Sequence, residues 1–192
     1  MKKSNRLSRR KFIKLAVSVA ASGSAISCAG TISPWRFLSG EEAQIVEAIC
    51  GQIIPADQDP GATQAGVVNF IDRQLVGHLR RHQKAYREGL AGVNQTSLAR
   101  FGKKFVDLPA PQQTEVLTAL DKNEAPGEIW QQRSAKEFFD LVVSHTMQGF
   151  YGDPRHGGNR DGVSWRMVGL SYPPIRGRLR YDLTKPAPKE SA

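Results

Sequence analysis

Apolar positions recur at helical spacing along nearly the whole chain. Ala43, Val46, Ile49, Cys50 and Ile53 fall three or four positions apart, which lines one stripe of a 3.6-residue helix. Ser39-Gly40-Glu41-Glu42 stands just before that stripe and reads as a capping box: a hydroxyl and a carboxylate that satisfy orphan amides at a helix start. Pro55 ends the helix, since proline disfavours helical geometry in the residue before it. The stretch "PADQDPGATQAG" reads as loop. Val67, Val68, Ile71 and Leu75 mark a second helix, with Asp72, Arg73 and Gln74 expected on its outer face and Gly77 as its breaker. Tyr86, Leu90 and Val93 mark a third. "FGKKFVDLPAP" is irregular, and Pro109 and Pro111 suit the first turn of a short helix carrying Val116, Leu117 and Leu120. The clearest helix runs from Ser134 to Phe150 with Phe138, Phe139, Leu141, Val142 and Val143. No run alternates at period two for long enough to make a strand. The pattern predicts an all-α fold, a single compact helical domain with long irregular loops over residues 38–173.

What precedes that domain has another character. Lys2, Lys3, Arg6, Arg9, Arg10, Lys11 and Lys14 carry seven positive charges with no acidic residue among them, and a weakly apolar run follows from Phe12 to Ile26. The run is shorter than the roughly 20 apolar residues of a spanning helix, so residues 1–30 read as a targeting segment rather than an anchor, followed by a linker at 31–37. Within it, "SRRKFIK" resembles the twin-arginine export signal, carried by Arg9, Arg10 and Phe12, with Ile13 where leucine is usual. Such an address is read by a receptor, the twin-arginine translocase, and implies export of an already folded protein to the periplasm.

The targeting segment also accounts for most of the charge. The chain has 27 Lys and Arg against 18 Asp and Glu, a formal +9, and losing the seven leaves 20 against 18. A nucleic-acid binder would need its basic patch on the folded domain, so nucleic acid is not an expected partner. Only the tail, residues 174–192 with Arg176, Arg178, Arg180, Lys185 and Lys189, stays locally basic, and it reads as solvated. Two cysteines cannot build a metal framework. Cys28 lies at the end of the targeting segment, where "SCA" fits a small-residue cleavage site and "AISC" loosely fits a lipoprotein box that would make Cys28 the lipidated residue. Cys50 sits on an apolar helix face and reads as a small buried hydrophobe.

Candidate chemistry is sparse. His78 and His82 lie four apart, but Arg80, Arg81 and Lys84 would repel a cation and no third ligand is spaced to join them. His145 falls on the apolar stripe of the clearest helix and reads as a core histidine, with general-base work as the alternative. The stretch "GFYGDPRHGGNRDGVSW", residues 149–165, holds five glycines in seventeen positions and is expected to form neither helix nor strand. Its Asp153, His156 and Asp161 could in principle do acid–base or metal chemistry, although Asp153 before Pro154, and Asn159 and Asp161, equally suit turns. No phosphate loop, dinucleotide fingerprint, haem-attachment motif or iron–sulfur cysteine set is present, so no catalytic, cofactor-binding or metal residue is assigned to this chain. An export address for folded cargo on a domain without a cofactor motif points to a partner. On that reading Tyr151, Asp153, Arg155, Asn159, Arg160, Asp161 and Trp165 form the partner interface, since Tyr, Trp and Arg are enriched at interface centres and glycine lets a backbone approach closely.

The blocks "FLSGEEAQIVEAICGQIIPADQDPGATQAGVVNFIDRQL", "YREGLAGVN", "FVDLPAPQQTEVL" and "HTMQGFYGDPRHGGNRDGVSWRMVGL" resemble the gluconate 2-dehydrogenase small (gamma) subunit family from about Phe37 to Pro173. The resemblance implies a non-catalytic subunit of a membrane-associated, FAD-dependent sugar or polyol dehydrogenase. It further implies a glucose–methanol–choline-type flavoprotein partner that holds FAD, and a multihaem cytochrome c subunit (haem c) that can take electrons to quinone. The small subunit of such complexes commonly supplies the twin-arginine signal and assists maturation of the large one. Two other readings stay open at this stage: a stand-alone envelope lipoprotein built on Cys28, and a small enzyme using Asp153, His156 and Asp161.

Overall fold

The computed structural model describes residues 34–170. The export motif at Arg9, Arg10 and Phe12, the lipidation candidate Cys28 and the basic tail from residue 174 lie outside the described residues. Among those described there are seven α-helices and no strand: α1 (Gly40–Ile53), α2 (Val67–Leu75), α3 (Gln83–Phe101), α4 (Ala110–Asp121), α5 (Ile129–Gln132), α6 (Ala135–Tyr151) and α7 (Val163–Met167). Short 3-10 turns occupy Arg80–His82, Phe105–Asp107, Pro154–His156 and Arg160–Gly162. The all-α expectation is met.

Local chemistry sets the helix ends. The Ser39 hydroxyl accepts from the Glu42 amide at 3.2 Å while the Glu42 carboxylate accepts from the Ser39 amide at 2.8 Å, completing the capping box of α1. α1 stops at Ile53, two residues before Pro55. Pro109 occupies the N-cap position of α4 with Pro111 in its first turn, and Ser134 caps α6 by accepting from the Glu137 amide. None of the described helices is long and apolar enough to cross a membrane.

α6 is the axis of the domain: α1, α2, α3, α4 and α7 all pack against it. Val46 and Ile49 of α1, Val67, Ile71 and Leu75 of α2, Tyr86, Leu90 and Val93 of α3, Val116 and Leu120 of α4, and Val142 and Phe150 of α6 are buried together. Each such side chain contributes roughly 1.5–3 kcal/mol by leaving water, which offsets the entropy of ordering the helices.

One expectation needs correction. Asp72 does not face out; it is 3% exposed, and its carboxylate accepts three backbone amides, from Arg36 at 2.7 Å, Phe37 at 2.9 Å and Leu38 at 2.9 Å. Three charge-assisted hydrogen bonds compensate its lost hydration, and they fasten the segment leading into α1 onto α2. Arg87 of α3 grips the same segment from the other side, donating to the Phe37 carbonyl at 2.6 Å with its guanidinium 4.2 Å above the Phe37 ring. His78 and His82, four apart in sequence, stand on two successive turns rather than on one helix. The chain turns at Gly77–Leu79, leaving His78 exposed, and His82 closes the 3-10 turn beyond it.

Candidate functional site

The glycine-rich stretch is more ordered than its composition predicts. α6 runs on to Tyr151, two 3-10 turns follow, and Trp165 stands on α7. Asp153 organises the first turn by accepting from the Arg155 amide at 2.9 Å, and its carboxylate takes the Arg155 guanidinium in a fork, Nε at 3.0 Å and Nη2 at 2.6 Å. These hydrogen bonds from Arg155, side chain first and amide second, hold the Asp153 carboxyl down at about 2. That stabilisation is complete above the usual carboxylate range and is lost as pH falls through about 2. Asn159 and Asp161 both adopt left-handed backbone, φ 44° and 58°, which short polar side chains tolerate.

The glycines serve the domain itself. A methyl group on Gly158 would stand 2.1 Å from the Gly149 carbonyl oxygen, so the loop backbone lies directly against α6. Gly157, at φ +106°, sits under the aliphatic part of Arg73 from α2. Close backbone approach is therefore made within the domain rather than left for a partner. Asn159 is likewise spent inside: it is fully buried, its Nδ2 donates to the Gly152 carbonyl at 2.8 Å and its Oδ1 accepts from the Ser164 amide at 2.9 Å. It pins α7 beneath the loop and presents nothing outward, so it leaves the proposed interface set. Arg160 joins the loop to α2, its amide donating to the Ala65 carbonyl at 3.0 Å and its guanidinium lying over Gly66.

Of the other proposed interface residues, Tyr151, Arg155, Arg160 and Asp161 are exposed, and Asp153 and Trp165 are partly so. The Trp165 indole N–H donates to the Tyr151 carbonyl at 2.8 Å, tying α7 to the end of α6. Around this joint lies a feature the sequence reading missed. Met147, Tyr151, Met167, Val168 and Leu170, five of the seven large apolar residues exposed in the described domain, lie on the last two turns of α6 and at the end of α7 and just beyond it, the two elements that this hydrogen bond joins. Val168 and Leu170 are 61% and 59% exposed. The legible sign was "WRMVGL", apolar residues beyond the last helical stripe with nothing left in the domain to cover them.

Asp153, His156 and Asp161 are not drawn into one site. Asp153 is held by Arg155, and no group of three or more His, Cys, Asp or Glu among the described residues is arranged to hold a metal ion. His145 is a core residue, 3% exposed, with its Nδ1 2.9 Å from the Tyr86 hydroxyl and the His82 ring edge-on at 5.3 Å. Burial, with the nearby charges of His82 and Arg81, lowers its pKa to about 4, so it is neutral at ordinary pH. Cys50 is buried and shares a 3.2 Å contact with the Thr146 hydroxyl, and burial pushes its thiol up to about 12, far from a reactive thiolate. A groove of about 920 Å³ opens between α3, α5 and α6, floored by Gly89 and Phe138 and bordered by the Glu88–Arg133 ion pair.

Neither the curated proteins nor the solved structures yield a match to this chain. A family model, gluconate 2-dehydrogenase subunit 3, matches residues 40–171, more than half of the sequence and nearly all of the described domain from the first residue of α1. The matched span includes the loop, the buried Asn159 that pins it and the apolar joint of α6 and α7, and the chain belongs to the gluconate 2-dehydrogenase subunit 3 family.

Proposed function

We propose that this chain is a non-catalytic accessory subunit that docks onto an FAD-holding, glucose–methanol–choline-type flavoprotein and travels with it to the periplasm. Membership of a dehydrogenase-subunit family is consistent with a place in such a complex. The observation that carries the reading is the apolar cluster at the ends of α6 and α7. Met147, Tyr151, Met167, Val168 and Leu170 remain exposed, whereas among the other large apolar side chains described Val76 and Leu98 alone do so. Clustered exposed apolar residues of this kind mark an interaction surface. The twin-arginine motif at Arg9 and Arg10 supplies the address, and the flavoprotein supplies the redox centre. A multihaem cytochrome c subunit completes the assembly at the periplasmic face of the membrane, and the complex oxidises a sugar or polyol.

The direct test is co-purification. The flavoprotein co-expressed with this chain should elute with it as one species. Val168→Asp combined with Leu170→Asp should weaken assembly by about 2 kcal/mol or more, a hot-spot magnitude, without altering the helical circular dichroism of the free chain. A chain that stays monomeric beside its flavoprotein would refute the reading.

A further inference from the structure

We propose that the apolar end of α6 and α7 meets a protein surface whose apolar centre is rimmed by carboxylates, with Arg160 and Arg166 as the orienting charges; this rests on the accessory-subunit reading above. The argument begins with where the charge lies. Over residues 34–170 acidic residues outnumber Lys and Arg by one, yet the run that carries the cluster, residues 147–170, has three arginines against two aspartates. Arg155, Arg160 and Arg166 of that run are exposed and Arg73 of α2 lies against its loop at Gly157, while the run carries two carboxylates, Asp153 and Asp161. Asp153 gives its carboxylate to Arg155, so the balance at this end is positive.

The type of cation narrows the partner. Between Glu137 and Thr184 there is no lysine, and every permanently charged cation is an arginine. Lysine binds an anion as a point charge, whereas the planar fork of arginine gains most from paired oxygens, those of a carboxylate or a phosphate. Met, Tyr, Trp and Arg together, with Lys depleted, is also the composition of the centre of a protein–protein interface. The Trp165 ring is only partly exposed and its N–H is given to Tyr151, so it braces the face from beneath instead of projecting as a membrane anchor. Opposed charges around an apolar centre fix the register of docking and speed encounter.

The test uses the complete complex of this chain with its flavoprotein. Association should weaken about tenfold as NaCl rises from about 50 to about 500 mM, and Arg160→Glu with Arg166→Glu should slow association about tenfold. Because Arg160 packs over Gly66 and Arg166 bonds the Asp161 carbonyl, this variant can disturb the loop. A second variant, Arg73→Glu, leaves the loop's own hydrogen bonds in place and should slow association in the same direction. A complex that forms with no salt dependence and tolerates both reversals would overturn the carboxylate rim while leaving the accessory-subunit reading intact. No complex under any condition would remove both. Sedimentation of the free chain with phosphatidylglycerol vesicles but not phosphatidylcholine vesicles, abolished by the reversals while the complex is unaffected, would assign the face to lipid and overturn the proposal.

Discussion

Asp72 illustrates how a single buried charge decides the geometry of a whole segment. Its two oxygens divide the work, one accepting from Arg36 and the other from Phe37 and Leu38. Asp72→Ala strands three amides and should cost about 3 kcal/mol, read as a lower denaturation midpoint. Asp72→Asn keeps one acceptor and should cost less, the remaining cost coming from its amide nitrogen, which then faces an N–H it cannot accept from. A fall no larger than that of an ordinary surface substitution would show that the clamp is idle. Gly158 is the second residue-scale test. Gly158→Ala drives a methyl group into the Gly149 carbonyl, so the loop must lift off α6. Exchange of the Ser164 amide, now held by Asn159, should speed up in the variant while the α1 and α4 amides keep their protection.

At the scale of helices, periodicity carried far. The stripe of α1, the apolar positions of α2, α3 and α4, and the span of α6 were all legible, because each helix buries one face at a spacing that sequence records directly. Asp72 was not legible, since a carboxylate on an amphipathic helix ordinarily faces water and its three amide partners lie more than thirty residues away. The break at Gly77 was legible, and the 3-10 turn that follows it was not. In the candidate site, composition disclosed that the loop mattered but not which residues would be consumed in holding it. Asn159 vanished inward, while Met167, Val168 and Leu170 were left out.

His145 on α6 links this scale to pH. With its folded-state pKa near 4 against an ordinary 6.5, the unfolded chain takes up the proton first as pH falls. Stability is therefore complete above about 6.5 and declines between 6.5 and 4, by up to about 3 kcal/mol. Thermal midpoints measured across that window should show the decline, and His145→Gln should flatten it. An equal slope in the variant would place the sensitivity elsewhere.

For the molecule as a whole, the division of labour proposed here makes the address on this chain serve two polypeptides. Arg9→Lys with Arg10→Lys should strand both this chain and its flavoprotein in the cytoplasm, measured by fractionation and blotting of each. A flavoprotein that still reached the periplasm would refute the escort role while leaving docking possible. Because docking uses the α6–α7 end and the address lies before α1, Val168→Asp with Leu170→Asp should give the opposite pattern: this chain exported and its partner left behind.

The interior thiol of Cys50 has a practical consequence for all of these measurements. Sealed among α1 and α6 with its proton firmly held, it is silent to alkylating reagents while the bundle is closed. In a Cys28→Ala background the rate of its labelling becomes a clock for how often the core comes apart. The same clock, run with and without the flavoprotein, would report how much steadier the helices become once they are no longer alone.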